Sequence, residues 1–133
     1  MPTALWRLVP GVSWAWVPAT SAGLALGLAA GSTAVGYTTG VGDLLVQGTL
    51  TGLGVGVAQA LVWRRPLGAG YAAAWAGAAL GSWPLGWSVT RAFGIDVGKH
   101  YAVFGASGAI AYTAHAGLVL LTLLRRSQQP TVA

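Results

Sequence analysis

The sequence predicts an all-α integral membrane protein built as a four-transmembrane-helix bundle. Three observations carry that expectation. Charged residues make up 7% of the chain, where about 25% is usual, and apolar residues make up 55% before 21 glycines are counted. Four stretches, at about 18–37, 44–63, 69–88 and 102–124, contain no Asp, Glu, Lys or Arg. Each holds about 20 residues, roughly 30 Å as helix, which matches the hydrocarbon core of a bilayer. A soluble domain needs a charged surface, and seven basic and two acidic residues cannot cover one.

Residues 1–13 read as an interfacial lead-in, with Trp6 and Arg7 at headgroup depth. The transmembrane domain then covers 14–126, and 127–133 form a tail. Pro18 suits the first turn of the first span, where its missing N–H would be unpaired anyway. Thr38 to Gly42 make a tight turn, with Asp43 expected as N-cap of the second span. The segment Arg64-Arg65-Pro66-Leu67-Gly68 is expected to stop that span and start the third. Pro84 lies inside the third span and removes one helical hydrogen bond, so a kink near Gly81 is expected. Thr90 to His100 read as the longer loop before the fourth span.

A repeat alternative stands beside the plain bundle. "GSTAVGY" at 31–37 and "GSWPLGW" at 81–87 share Gly-Ser, a second glycine five places on, and a following aromatic ring. The second and fourth spans both end in Arg-Arg. Two hairpins of the same orientation would account for both features.

In lipid, apolar burial does not drive helices together, so close backbone approach must. Residues four apart share a helix face. Gly23, Gly27 and Gly31 make such a small-residue stripe on the first span, and Gly48, Gly52 and Gly56 on the second. The third carries Ala73, Gly77 and Gly81, and the fourth Gly105, Ala109 and Thr113. These are the expected packing positions.

The charges set orientation. Arg7, Arg64, Arg65, Arg125 and Arg126 fall on one side of a four-span arrangement, and Arg91, Lys99, Asp43 and Asp96 on the other. The positive-inside rule then places both termini in the cytoplasm. The chain has no Glu or Asn, and six arginines against one lysine. That usage suits a GC-rich bacterial genome, and hence a bacterial inner membrane. The basic residues form small clusters between apolar segments rather than a patch, so anionic headgroups are their expected partners and nucleic acid is not.

Candidate chemistry is sparse. His115 is the one ionisable side chain well inside a span, which makes it a functional candidate. It is expected either to bond a Ser or Thr across the bundle or, in a dimer, to ligate haem. His100 lies fifteen residues earlier, about 22 Å by helical rise, so one chain cannot supply a facing pair. Ser32, Gln59 and His115 could line a polar path between protomers, or act as interhelical hydrogen-bonding groups. Asp96 and His100 are two ligands, too few for a closed metal site. No cysteine is present, which excludes disulfides and thiolate sites. No nucleophile context and no phosphate-binding loop is found, so no enzyme is expected. There is no span carboxylate of the kind small four-helix multidrug exporters depend on. There is also no span lysine for a retinal Schiff base, and no Asn of the kind small fluoride channels use. The expectation is a non-catalytic accessory or structural subunit that associates with itself or a larger membrane partner. A homo-oligomeric transporter or channel is the alternative.

Overall fold

A computed structural model describes residues 13–97 and 106–127 of the chain. Among them the fold is entirely helical, with four helices and no strand: α1 (Trp16–Ala34), α2 (Val41–Leu67), α3 (Ala69–Ala92) and α4 (Ala106–Ser127). Two of the four are long and apolar enough to cross a membrane. These are α2 and the Ser107–Arg126 stretch of α4, with mean hydropathies of 1.4 and 1.5 over their most apolar windows. The other two helices do not meet that measure, because Gly, Ser, Thr, Pro and Trp lower the mean hydropathy of α1 and α3. The lead-in and tail fall largely outside the described residues, as do Gly105, Lys99 and His100.

Helix ends differ from the sequence reading in instructive ways. Pro18 lies in the first turn of α1, which ends at Ala34 rather than Tyr37. Gly36 and Tyr37 both take positive φ, at 59° and 62°, and reverse the chain there. The Tyr37 N–H donates to the Ser32 carbonyl at 2.9 Å and the Gly36 N–H to Thr33 at 3.1 Å, satisfying two terminal carbonyls. Asp43 is not the N-cap of α2. Gly40 is, and the Asp43 carboxylate accepts its N–H at 3.1 Å, which is one half of a capping box.

The segment from Arg64 to Gly68 does end α2 and start α3, with the break at its last residue. The helix runs on through Arg64, Arg65 and Pro66, because a proline in the last turn removes only one hydrogen bond. The break comes at Gly68, whose φ of 89° is a left-handed value that favours glycine. This single residue joins α2 to α3. Its N–H donates to the Arg64 carbonyl at 3.1 Å, and its carbonyl accepts from Ala72 at 3.1 Å. Helix α3 continues past Pro84 to Ala92, taking in Thr90 and Arg91, and Gly94 at φ 73° ends the turn that follows.

The extensive helix contacts run in chain order: α1 on α2, α2 on α3, α3 on α4. Helices α2 and α3 therefore each have two neighbours, and the glycines of α2 meet helices on two of its faces. Toward α1, a Cβ at Gly23 would lie 2.6 Å from the Gly54 carbonyl oxygen, one at Gly27 2.7 Å from Thr51 Cα, and one at Gly31 2.9 Å from the Gln47 oxygen. Toward α3, a Cβ at Gly48 would lie 2.9 Å from Pro84 N, at Gly52 2.5 Å from the Ala79 oxygen, and at Gly56 2.9 Å from the Ala76 oxygen. At these six positions only glycine allows the backbones to meet.

Two glycines of the third stripe lie elsewhere. A Cβ at Gly77 or Gly81 would meet nothing within 4 Å, and both residues are exposed together with Ala73. The face that α3 turns to α2 carries Ala76 and Ala79 instead. Ala109 and Thr113 are likewise exposed on α4. The two copies of the heptapeptide also differ: Gly31 is packed against Gln47 and Gly81 is open, while Gly36 turns the chain and Gly86 lies inside α3.

One side chain ties the ends together. Trp63 is fully buried in a cluster with Ala72 and Leu124, against which Trp16 and Leu120 pack. It stacks parallel to Trp75 at 5.3 Å between ring centroids and meets Trp16 at 5.2 Å with a tilt of 50°. Side chains from all four helices thus converge on it. A second cluster of Leu44, Trp87 and Val97 closes the opposite end.

Candidate functional site

Gln47, Gln59 and Ser82 place buried polar groups at the α1–α2, α2–α3 and α3–α4 contacts. At the Trp63 end, Gln59 of α2 spans two neighbours. Its amide nitrogen donates to Thr20 Oγ1 on α1 at 3.1 Å, and its oxygen accepts the indole N–H of Trp75 on α3 at 2.9 Å. The amide assignment follows from the network, since an indole only donates. At the far end of the same α1–α2 contact, Gln47 donates to Ser32 Oγ at 3.2 Å. Thr51, fully buried between them, returns its hydroxyl proton to the Gln47 backbone oxygen at 2.8 Å.

The third contact joins α3 to α4. Ser82 is buried, and its Oγ lies 2.7 Å from His115 Nδ1 and 2.8 Å from the Ala78 carbonyl oxygen. Ring packing of Trp83 on Tyr112, 5.3 Å between centroids, supports the same contact.

Ser32, Gln59 and His115 are therefore not brought together. Ser32 and Gln59 sit at opposite ends of one interface, and His115 sits in another, each with a bonded partner. Within the chain they do not line a common path. Ser82, Thr20 and Trp75 complete these contacts although no periodicity in the sequence marks them. Gly54, outside every four-residue stripe, is the reciprocal partner of Gly23, its added Cβ falling 2.6 Å from the Gly23 oxygen.

Among the described residues no three His, Asp or Glu side chains come close enough to hold a metal ion. Among the described residues, the buried atoms Trp63 Nε1, Thr90 Oγ1 and Ser107 Oγ have no hydrogen-bond partner. Arg91 Nη1 donates to the Thr39 carbonyl at 3.4 Å, linking the end of α3 to the α1–α2 connection. Comparison with protein-family models, curated proteins and solved structures gave no match.

Proposed function

We propose that the chain is a small multi-pass protein of a bacterial inner membrane, with all four helices in the bilayer and both termini cytoplasmic. In this reading it serves as a non-catalytic accessory or structural subunit. The observation that carries the reading is the unoccupied face of α3. Gly70, Gly77 and Gly81 are exposed, and a Cβ at any of them would meet nothing within 4 Å. The other two glycine stripes are filled by neighbouring helices of the same chain. A third stripe left open offers a further helix the same close approach.

Lipid-facing character elsewhere fits the proposal. Leu26, Leu61, Ile110 and Leu118 are each more than 60% exposed, at 71%, 63%, 70% and 66%, which suits a hydrocarbon solvent. The transport alternative draws less support, because the polar groups it would use are paired within helix contacts.

The test is extraction from native membranes in a mild detergent, followed by native mass measurement of wild type and Gly77→Leu. A larger partner, or a second copy, is expected at fixed stoichiometry with wild type and lost with Gly77→Leu. A wild-type chain that extracts alone as a monomer overturns the subunit reading.

A further inference from the structure

We propose that the groove between α1 and α2 binds one acyl chain of an anionic phospholipid, and that Arg64 and Arg65 take its headgroup. This site rests on the membrane reading proposed above. The groove offers about 600 Å³, within the range of about 300–1,000 Å³ that small-molecule sites occupy. Its floor is the close contact of Gly23 and Gly27 with Gly54. Leu26 rises on the α1 side, and Leu53, Val57 and Leu61 on the α2 side, all of them exposed. Every lining residue is Gly, Ala, Val or Leu.

Length and position fit a lipid chain of one leaflet. The lining runs from Ala19 to Ala30 on α1 and from Leu50 to Leu61 on α2. Either run is about 16 Å of helix, close to half of the roughly 30 Å hydrocarbon core. A further transmembrane helix has to cross the whole core, whereas a lipid chain crosses half of it. The groove starts one turn from the arginine end of α2 and stops well short of Val41 at the other.

The charges at the mouth select the headgroup. On α2 the groove takes Leu50, Leu53, Gly54, Val57, Ala58 and Leu61, in steps of three and four. The same steps lead on to Arg64 and Arg65, and α2 stays helical to Leu67, so both arginines share the groove face. Both are exposed, about one turn beyond the last groove residue. The only acids of the chain are Asp43, in the first turn of α2, and Asp96, beyond the end of α3. Neither lies at the arginine end to balance the pair. Guanidinium groups match phosphate oxygens with paired N–H donors, and basic groups between helices attract anionic lipid at the membrane surface. A zwitterionic lipid brings the same chains without the net charge.

The experiment is native mass spectrometry of the full chain, extracted in a mild detergent, delipidated, and given phosphatidylglycerol or phosphatidylcholine with identical acyl chains. Wild type is expected to retain one phosphatidylglycerol per chain, and to hold phosphatidylcholine about tenfold more weakly. Arg64→Gln combined with Arg65→Gln should weaken phosphatidylglycerol by about tenfold or more. Arg125→Gln combined with Arg126→Gln removes the same charge from α4 and should retain the lipid as wild type does. Ala22→Phe, at an exposed groove position, should weaken both lipids about tenfold by filling the space an acyl chain takes. Equal retention by the two arginine double variants overturns the proposal, as does unchanged retention by Ala22→Phe or equal retention of the two lipids by wild type. Should Ala22→Phe fail to fold, the comparison of the arginine variants decides. A wild-type chain recovered from the membrane fraction that retains no phosphatidylglycerol overturns the lipid site alone. A chain recovered from the soluble fraction overturns the membrane reading and the lipid site together.

Discussion

Gln59 shows what one polar side chain does in a chain with so few of them. Its amide joins α1 to α3 through α2, donating to Thr20 and accepting from Trp75. Gln47 makes only one such bond, to Ser32. Removing a partner from a buried donor costs about 1–3 kcal/mol in water-soluble proteins, and interhelical bonds in membranes average nearer 0.6 kcal/mol. Gln59→Leu leaves the Trp75 indole without an acceptor, so a loss of about 1 kcal/mol is expected. Gln47→Leu should lose about half as much. Thermal unfolding in detergent compares the two. Equal midpoints for both variants would mean that the Trp75 bond adds nothing. His115 and Gln59 were legible in the sequence as isolated polar groups in apolar spans. Their partners were not, because Ser82 and Thr20 are ordinary hydroxyl residues whose importance comes only from which helix they face.

Helix packing depends on which face meets which neighbour, and here the sequence was half legible. Four-residue spacing groups Gly23, Gly27 and Gly31, and Gly48, Gly52 and Gly56, because spacing on a helix determines a shared face. It cannot say what that face meets. On α3 the ambiguity is physical: Ala72, Ala76 and Ala79 are nearly as small as Ala73, Gly77 and Gly81, so two adjacent stripes offer almost the same approach distance. The α2 contact uses the alanine face. The break after α2 was legible as a segment, but not which of its residues makes it. Pro66 looks like a stop but costs one bond in a last turn, whereas the φ of 89° at Gly68 makes the actual break. A paired substitution tests the assignment of faces. A Cβ at Gly52 would lie 2.5 Å from the Ala79 oxygen, and the rest of a leucine would lie deeper still in α3. Gly52→Leu is therefore expected to cost at least the 1–3 kcal/mol typical of overpacking. Gly77→Leu, with open space around it, should leave the thermal midpoint of the isolated chain unchanged. Equal losses from both would place α3 the other way round.

At the scale of the molecule, the charges and the tryptophan cluster agree on an axis. Trp63 packs with Leu124, so the helix end carrying Arg64 and Arg65 lies beside the end carrying Arg125 and Arg126. Trp16 meets the same ring, which brings the start of α1 to that end. Arg91 is at the other, bonded to Thr39. Four arginines thus stand together against one among the described residues. On the proposed membrane reading, the positive-inside rule would put the richer end in the cytoplasm. The chain has no cysteine, so single cysteines can report the orientation without background. Ser13 and Thr38 are both exposed and lie at opposite ends of α1. Thr38→Cys is expected to react with a membrane-impermeant maleimide on intact cells, and Ser13→Cys only after lysis. Replacing Arg64, Arg65, Arg125 and Arg126 together with glutamine should make both positions partly reactive, since Arg7 then stands against Arg91 and Lys99 and the strong bias toward one side is lost. If Ser13→Cys labels on intact cells and Thr38→Cys does not, the arginine-rich end faces outward, and the interface proposed on α3 must then be sought with the opposite polarity.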